Sequence, residues 1–293
     1  MTPRIYVLLP VHNRREITRT LVECLVAQTY DNYELVLIDD GSTDGTAEMV
    51  KQLVPSATVL RGTGKWWWAG CLQHGLDVLA SRGVNDDSLV LFMNDDVTFG
   101  PDFLQNAVDV MRGKEGTLMV ARTLAPDEAG TVETGVVADL RRLSFRVADS
   151  AGAINCLPTR ALFAYWSDVR RIGGFHPRLL PHYLSDYEYT IRAHKKGLRC
   201  ETSPRLVIVS NEEATGYRTI NERSFPRFLQ KYFSKKAAAN PIYWSSFVLL
   251  AVSPFWILPN LARVWRSALR DIGRALTRSL SHNPGTQASP KTG

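Results

Sequence analysis

Three short acidic segments constrain this chain more than any other feature of its sequence. Asp39-Asp40 and Asp95-Asp96 each follow an apolar run with strand character, and Asp186 comes later in the chain. Ligands of open α/β sheets bind outside the carboxyl ends of the strands. The order therefore predicts that these carboxylates meet at one edge of a sheet, in a site for a nucleotide, a divalent metal ion and a proton acceptor.

Strand-like and helical patterns alternate through the first half of the chain, which predicts an α/β fold with a mostly parallel sheet and helices on both faces. Strand character is found in residues 4–10, 33–39, 58–61 and 88–93, and helical character in residues 15–28, 46–53 and 69–81, with Pro101 opening a further helix. Residues 117–156 favour an antiparallel insertion, residues 162–173 and 185–196 favour helices, and residues 206–209 favour a strand.

Length and composition favour one catalytic domain with an appendage. A chain of 293 residues with 45% hydrophobic content can bury one large core or two small ones. The four cysteines are far apart and form no C-x-x-C pair, which indicates reduced thiols in the cytosol. The apolar run near the start, Ile5 to Leu9, is too short for a signal peptide. We expect a catalytic domain over residues 1–225, a membrane-associating helical region over 226–280 and a disordered tail over 281–293.

The C-terminal region has a different character from the catalytic body. No charged residue lies between Lys236 and Arg263, and the apolar stretch 242–258 is at the lower limit of the roughly 17–25 residues that span a bilayer. Pro254 and Pro259 interrupt this stretch. The sequence therefore leaves open whether these residues span a membrane or lie in it.

The segment after Leu261 carries nearly all of the net charge of +6, with six basic residues against one acidic residue. Five arginines fall on one face of a helical wheel, and apolar residues such as Trp265 and Leu269 fall on the other. This pattern is typical of a helix in the membrane interface, and the alternative is an ordinary amphipathic helix packed on its own domain. We expect residues 237–280 to bind a membrane surface, as a peripheral, monotopic or single-pass element. A nucleic-acid partner is not expected, because the basic residues are not spread over a folded face.

The acidic turns carry the candidate chemistry, although each also has a structural explanation. The loops after the first two strands could hold a nucleobase and a ribose, but Asp-Gly-Ser-Thr-Asp-Gly is also a good turn and helix cap. Two adjacent carboxylates at Asp95 and Asp96 repel each other unless a cation is present, while a solvated Asx turn is the alternative. Ser185 and Glu188 have the spacing of a capping box, which leaves Asp186 unexplained and a candidate general base.

Five motifs, spread over about residues 4–210, together resemble the family 2 inverting glycosyltransferases of GT-A fold. They are Leu9-Pro10-Val11-His12-Asn13, the loop from Asp39 to Thr46, Asn94-Asp95-Asp96, Gly173-Gly174-Phe175, and the segment from Leu180 to Glu188 with Arg192. The segment from Gly62 to Gly75 is similar to the donor-site loop and helix of relatives that build bacterial surface polysaccharides, which are rhamnosyltransferase-like. The order of the motifs makes the resemblance far more specific than any one of them.

The resemblance implies an inverting, metal-dependent transfer of a single sugar from a nucleotide-sugar to a lipid-linked or glycolipid acceptor, with Mg²⁺ or Mn²⁺ as cofactor. In that scheme Asp186 is the catalytic base and Asp96 binds the metal together with Asp95. The nucleotide-sugar would contact Pro10, Val11, Asn13, Asp40, Lys65, Trp68 and Asp95. We expect the enzyme to act in cell-envelope polysaccharide synthesis at the cytoplasmic face of the membrane.

Two other functions remain open at the level of sequence. One is a nucleotidyltransferase on a similar nucleotide-binding sheet, which would release pyrophosphate from a nucleoside triphosphate. The other is a catalytically silent, membrane-associated partner of a polysaccharide assembly complex. The chain also departs from the family pattern, with Ser185 where Glu is common, Gln73 where Asn is common and His176 where Asp is common.

Overall fold

The computed structural model describes residues 2–124, 131–133, 135–210 and 220–281, and the chain divides into two compact units, Met1–Ala214 and Thr215–Gly293. The strands are β1 (Ile5–Val11), β2 (Tyr33–Asp39), β3 (Thr58–Arg61), β4 (Leu89–Phe92), β5 (Val97–Thr98), β6 (Thr117–Leu124), β7 (Thr131–Glu133), β8 (Val136–Asp139), β9 (Ser144–Val147), β10 (Leu162–Tyr165) and β11 (Arg199–Ser210). The helices are α1 (Arg15–Val26), α2 (Thr46–Leu53), α3 (Trp67–Ser81), α4 (Phe103–Met111), α5 (Trp166–Ile172), α6 (Ser185–Lys195), α7 (Phe225–Tyr232), α8 (Pro241–Ala251) and α9 (Pro254–Ser281).

One large sheet organises the first unit. Its order is β3-β2-β1-β4-β10-β6-β11-β5, and β7 pairs with β6. The first four strands are mutually parallel, and β6 is parallel to β11, while β10 runs antiparallel between β4 and β6. The expected α/β fold with a mostly parallel sheet is confirmed. Its parallel pairs place the loops that follow β1, β2 and β4 at one edge.

Apolar side chains cover both faces of this sheet, as the central strands require. β4 has four consecutive buried residues, and β1 alternates its side chains between two separate clusters. Helices α1, α2 and α4 contribute to the cluster on one face, whereas α3, α5 and α6 contribute to the other. The sheet is therefore supported by an apolar core on each face.

The prediction of a helix over residues 162–173 is wrong in its first third. Leu162–Tyr165 forms strand β10, and only Trp166–Ile172 is helical. All four residues of β10 are buried, because neighbouring strands flank them and cores cover both faces. A continuous apolar run of four residues has no periodicity that distinguishes a buried strand from a buried helix.

The region predicted as an antiparallel insertion is split by the structure. Residues 117–124 form β6 of the main sheet and not of an insertion, so this part of the prediction is wrong, although β6 does pair antiparallel with β7 and β10. The hairpin of β8 and β9 does form a separate antiparallel pair, as expected. The predicted strand over residues 206–209 is the end of the much longer β11.

The second unit contains helices α7, α8 and α9. Asn240 caps α8 by accepting a hydrogen bond from the Ile242 amide at 2.9 Å, and Pro241 occupies its first turn. Aromatic side chains of α7 pack against Ala268 and Ala275 of α9. Within the described residues, no helix combines the length and apolar character needed to cross a membrane. The predicted disordered tail lies outside the described residues, apart from residue 281.

Candidate active site

The loops after β1 and β2 are bonded to each other at the carboxyl edge of the sheet. The strands pair in register up to Val11 and Asp39, and the Asp40 amide donates to the Val11 carbonyl at 2.9 Å. The Asn13 amide donates to Ser42 Oγ at 2.9 Å, and the Thr43 amide donates to Asn13 Oδ1 at 2.8 Å. Asn13 thus connects the two loops, with the left-handed backbone (φ 50°) that asparagine tolerates better than most residues.

Asp40 holds the loop that leads from β3 into α3. Its Oδ1 accepts the Gly64 amide at 2.8 Å and its Oδ2 accepts the Trp67 amide at 2.9 Å. The side chain is buried, and Trp67 has a left-handed φ of 59°. Each carboxylate oxygen has further lone-pair capacity, so Asp40 can accept a donor from a ligand while it holds this loop.

The side chains of Pro10, Val11 and Lys65 differ in how far they reach solvent. Val11 is buried in the core, so its polar contribution at the edge is the carbonyl that Asp40 uses. Pro10 is half-buried and Lys65 is exposed. Of these three predicted nucleotide contacts, only Lys65 has a charged side chain that a ligand can reach.

Asp95 forms an ion pair that the sequence analysis did not anticipate. Its Oδ2 accepts Arg14 Nε at 2.8 Å and Thr18 Oγ1 at 3.2 Å. Burial raises the pKa of Asp95 to about 6, against the lowering effect of the Arg14 guanidinium. Arg14 was overlooked because it stands in a loop beside Arg15, and sequence alone does not show which of the two faces inward.

Asp96 provides the strongest indication of a cation site. Its side chain is buried, and its Oδ1 has no hydrogen-bond partner among the described residues. Arg14 Nη2 lies 3.9 Å from Asp96 Oδ2, which offsets only part of the cost of burying this carboxylate. Across the described part of the chain no cluster of three His, Cys, Asp or Glu residues could hold a metal alone. Two carboxylates do fit Mg²⁺ or Mn²⁺ when substrate phosphate oxygens complete the coordination.

The three consecutive tryptophans, Trp66, Trp67 and Trp68, have different neighbours. Trp66 stacks on His74 with ring centroids 3.9 Å apart. Trp67 packs edge-to-face with His182, with ring centroids 6.1 Å apart. Trp68 Nε1 donates to Asn94 Oδ1 at 3.1 Å. Trp68, a predicted donor contact, therefore connects the start of α3 to the acidic turn after β4.

Asp186 lies in the first turn of α6, where the Tyr187 amide donates to its Oδ1 at 2.9 Å. Three residues later, the Tyr189 ring contacts Phe92, at a centroid distance of 5.7 Å. Phe92 itself lies three residues before Asp95. The loop before α6 is also fixed to α3, because the Ala69 amide donates to the Pro181 carbonyl at 3.0 Å. These contacts bring the start of α6 to the same edge as the acidic turn.

The predicted capping box between Ser185 and Glu188 is wrong. The N-cap of α6 is Leu184, with a left-handed φ of 67° and no side-chain cap. Ser185 Oγ is buried without a hydrogen-bond partner among the described residues. Glu188 instead accepts Arg192 Nε at 2.8 Å, and Arg192 also donates to the Gly174 carbonyl. The strong Glu188–Arg192 pair at i and i+4 explains why Glu188 does not turn back to cap its helix.

Part of the chain is similar to known glycosyltransferases. Residues 6–144 match the family model described as glycosyl transferase family 2. The putative glycosyltransferase EpsE of Bacillus subtilis is 38% identical over 50 residues, covering 17% of this chain and 18% of that protein. The amylovoran biosynthesis glycosyltransferase AmsB of Erwinia amylovora is 25% identical over 210 residues, covering 66% of this chain and 64% of that protein. The chain spans less than a fifth of the length of the first curated relatives it matches.

Solved structures show the same fold at low sequence identity. S. aureus TarS 1–349 in complex with UDP-GlcNAc superposes with a TM-score of 0.58 at 15% identity, covering 95% of this chain and 73% of that one. The mannosyltransferase PcManGT from Pyrobaculum calidifontis, in complex with GDP-Man and Mn²⁺, gives a TM-score of 0.54 at 20% identity, covering 96% and 80%. The solved neighbours show that the chain has a GT-A-like α/β fold, and the family match covers residues 6–144 of it.

Proposed function

We propose that this chain, with its match to the family 2 glycosyltransferases, is a metal-dependent inverting enzyme. It transfers one sugar from a nucleotide-sugar to a lipid-linked or glycolipid acceptor at the cytoplasmic face of the membrane. The proposal rests on Asp40 and Asp96, which follow parallel strands of one sheet, and on the loop before α6, which is bonded to the start of α3 and leads to Asp186. The names of two relatives, amylovoran biosynthesis glycosyltransferase and O-antigen biosynthesis protein, support a role in cell-envelope polysaccharide synthesis.

The residues divide the work of a single displacement. Asp40 and Asn13 order the loops that hold the nucleotide, and Lys65 contributes a positive charge for the diphosphate. Asp186 accepts the proton of the acceptor hydroxyl as that oxygen attacks the anomeric carbon, with inversion of configuration. Asp96 and Asp95 would hold Mg²⁺ or Mn²⁺, which when bound neutralises charge on the departing nucleoside diphosphate.

The reaction type can be tested by following the nucleotide product. We expect purified full-length protein to release a nucleoside diphosphate from one member of a nucleotide-sugar panel that includes a rhamnosyl donor. Release should need Mg²⁺ or Mn²⁺ and should rise when a membrane extract supplies the acceptor. Release of pyrophosphate from nucleoside triphosphates would instead support a nucleotidyltransferase. No turnover of any donor, with either metal ion and with extract, would contradict the proposal.

Helix α9 supports the membrane part of the proposal. Its buried stripe includes Ala268 and Ala275, which pack within the second unit. A second stripe exposes large apolar side chains, with Phe255 at 89%, Leu258 at 77% and Leu269 at 67% exposure. Exposed arginines form a third stripe at positions 266, 270, 274 and 278. A helix that packs on its own unit and still presents adjacent apolar and basic stripes is suited to an anionic membrane surface.

Sedimentation with vesicles tests this surface in the whole protein. We expect binding to vesicles containing phosphatidylglycerol and weak binding to vesicles of phosphatidylcholine alone. Arg270→Gln should weaken binding about fivefold, since each basic residue near an anionic surface contributes about 1 kcal/mol. Arg112→Gln, which removes an exposed arginine of the first unit, is the matched control. Equal binding of both variants and wild type would remove α9 from the membrane contact.

A further inference from the structure

Two arginines that the proposed mechanism does not use lie side by side at the carboxyl edge of the sheet. Arg122 follows Ala121 in β6, and Arg160 precedes Ala161 at the start of β10. The Ala121 amide donates to the Ala161 carbonyl at 3.1 Å, and Leu162 pairs with Val120 in antiparallel register. The two arginines are therefore the next residues beyond this bonded pair, Arg122 within β6 and Arg160 in the turn that leads into β10.

Neither arginine has a protein counter-ion in the described part of the chain. Both are half-buried, and the Nε atom of each is buried without a hydrogen-bond partner among the described residues. Like charges at neighbouring cross-strand positions destabilise a sheet, and a buried donor without an acceptor adds a further cost. Among the described residues, the fold therefore places two positive charges together at one position without a side-chain anion beside them.

The backbone around both arginines is irregular in a way that is common at binding sites. Ala161 adopts a left-handed φ of 61°, a conformation that alanine rarely occupies. The pairing of β6 with β11 shifts register between Ser203 and Val207, and Val207 is the residue opposite Arg122. Bulges next to active sites redirect side chains, and strained backbone conformations cluster at ligand contacts.

The segment that leads to Arg160 is bonded to α6, the helix whose first turn contains Asp186. Thr190, one turn after Asp186 on α6, accepts the Leu157 amide at 3.0 Å and donates to the Leu157 carbonyl at 2.9 Å. Leu157 is three residues before Arg160. Arg122 is on the same face of β6 as Leu118 and Val120, which belong to the cluster that α6 helps to form. The arginines therefore lie on the side of the acidic turn where α6 packs, separated from the loops after β1 and β2 by β4.

We infer that Arg122 and Arg160 form an oxyanion site for a phosphoryl group carried by the acceptor. Guanidinium groups bind phosphate oxygens through paired hydrogen bonds, and a phosphoryl group removes the mutual repulsion of the arginines. The combined charge of two arginines matches the charge of about −1.5 to −2 on a phosphate monoester better than the single charge of a carboxylate. This inference depends on the proposed function, because it defines the acceptor of that reaction as a phosphorylated or phosphate-linked saccharide.

Binding of methyl phosphate to the full-length protein tests the site without a known acceptor. We expect methyl phosphate to raise the apparent Tm of the wild type by mass action, and titration calorimetry to give its affinity. Arg122→Gln and Arg160→Gln should each weaken that affinity about tenfold or more, as expected for loss of charge-assisted hydrogen bonds. Arg112→Gln controls for loss of a surface charge, and Lys65→Gln controls for binding at the donor side. Arg112→Gln should keep the wild-type affinity, and any weakening in Lys65→Gln should be smaller than in the arginine variants.

The conservative variants keep the test decisive if a glutamine variant does not fold. Arg122→Lys and Arg160→Lys retain the charge and lose the planar fork, so we expect a smaller but measurable weakening. Unchanged methyl phosphate affinity in the arginine variants, or loss of affinity in Lys65→Gln alone, would overturn the inference. Acetate binding as strong as methyl phosphate binding would overturn its phosphoryl assignment. Failure of the proposed function would be seen separately, as a wild type that turns over no nucleotide-sugar.

Discussion

Two rims of the candidate site differ in how completely their polar groups are bonded. The donor rim consists of residues 12–15, 40–46 and 62–67, and backbone amides there donate to carboxylate, amide or hydroxyl acceptors at 2.8 to 3.0 Å. The acceptor rim consists of Arg122, residues 157–161 and the first turn of α6. It contains three buried polar atoms without hydrogen-bond partners among the described residues, in Arg122, Arg160 and Ser185.

We infer from this difference that the donor rim is ordered before a ligand binds, whereas the acceptor rim is stabilised when a ligand binds. A loop network whose backbone amides are bonded is ordered before a ligand arrives, so little conformational entropy is lost on binding. Unsatisfied buried groups reduce the stability of the free protein and become useful only when a ligand supplies the missing partners. We therefore expect substitutions in the donor rim to destabilise the protein and substitutions in the acceptor rim to affect activity with little loss of stability.

Asp186→Asn is the substitution with the largest expected effect on activity. Removing the base should lower kcat about 100-fold to 10,000-fold, because general base catalysis contributes on that scale. The amide has nearly the same shape, so the affinity for the nucleotide-sugar should be unchanged within about twofold. Single-turnover transfer and donor titration would measure both quantities. Turnover near that of the wild type would exclude Asp186 as the base.

Asp40→Asn should show the opposite behaviour, with a loss of both stability and donor affinity. One of the two oxygens becomes an NH₂ group that faces the Gly64 or Trp67 amide, which leaves a buried donor without an acceptor. We expect a loss of about 1–3 kcal/mol in the free energy of unfolding. Urea denaturation measures this quantity, and Asp31→Asn, at an exposed carboxylate, is the control. A variant as stable as the wild type would show that Asp40 does not order the loop.

Gly41→Ala and Gly45→Ala form a matched pair in the same loop of the donor rim. Both glycines have left-handed φ values, +74° and +80°, so both substitutions should cost about 1 kcal/mol in backbone strain. A Cβ atom at Gly41 would lie 2.8 Å from the Gly64 amide nitrogen, whereas one at Gly45 meets nothing within 4 Å. Gly41→Ala should therefore be more destabilising by a further 1–3 kcal/mol or so. Equal losses in thermal unfolding would contradict the close approach of the two loops.

The donor rim is also the region that sequence patterns predicted best. Strands β1, β2 and β3 and helix α2 were expected within one or two residues, because alternating apolar runs and Gly-Asp turns specify them locally. The position of Asp40 at the end of β2 was likewise evident from sequence. Its two amide partners were not, because they come from a loop more than 20 residues away.

The acceptor rim was predicted less well, for physical reasons. β10 inserts antiparallel between β4 and β6, so Arg122 and Arg160 become neighbours only through long-range pairing. Each is an isolated arginine in the sequence, without a motif that marks it. The Ser185-x-x-Glu188 spacing predicted a capping box. Local spacing rules do not take account of Arg192, one turn further along α6, which forms an ion pair with Glu188.

Ser185→Ala has the smallest expected effect. It tests whether Ser185 caps α6, as its spacing from Glu188 predicts, or has a buried hydroxyl without a partner among the described residues. If Ser185 capped α6, its removal would cost about 0.5–2 kcal/mol of stability. Because its buried hydroxyl has no partner among the described residues, we expect the free energy of unfolding to stay the same or rise by up to about 1 kcal/mol. A parallel Thr46→Ala variant is the contrast, since the Thr46 hydroxyl donates to Asp44 Oδ1 in the donor rim. A loss of stability in Ser185→Ala as large as in Thr46→Ala would mean that the acceptor rim is as fully bonded as the donor rim.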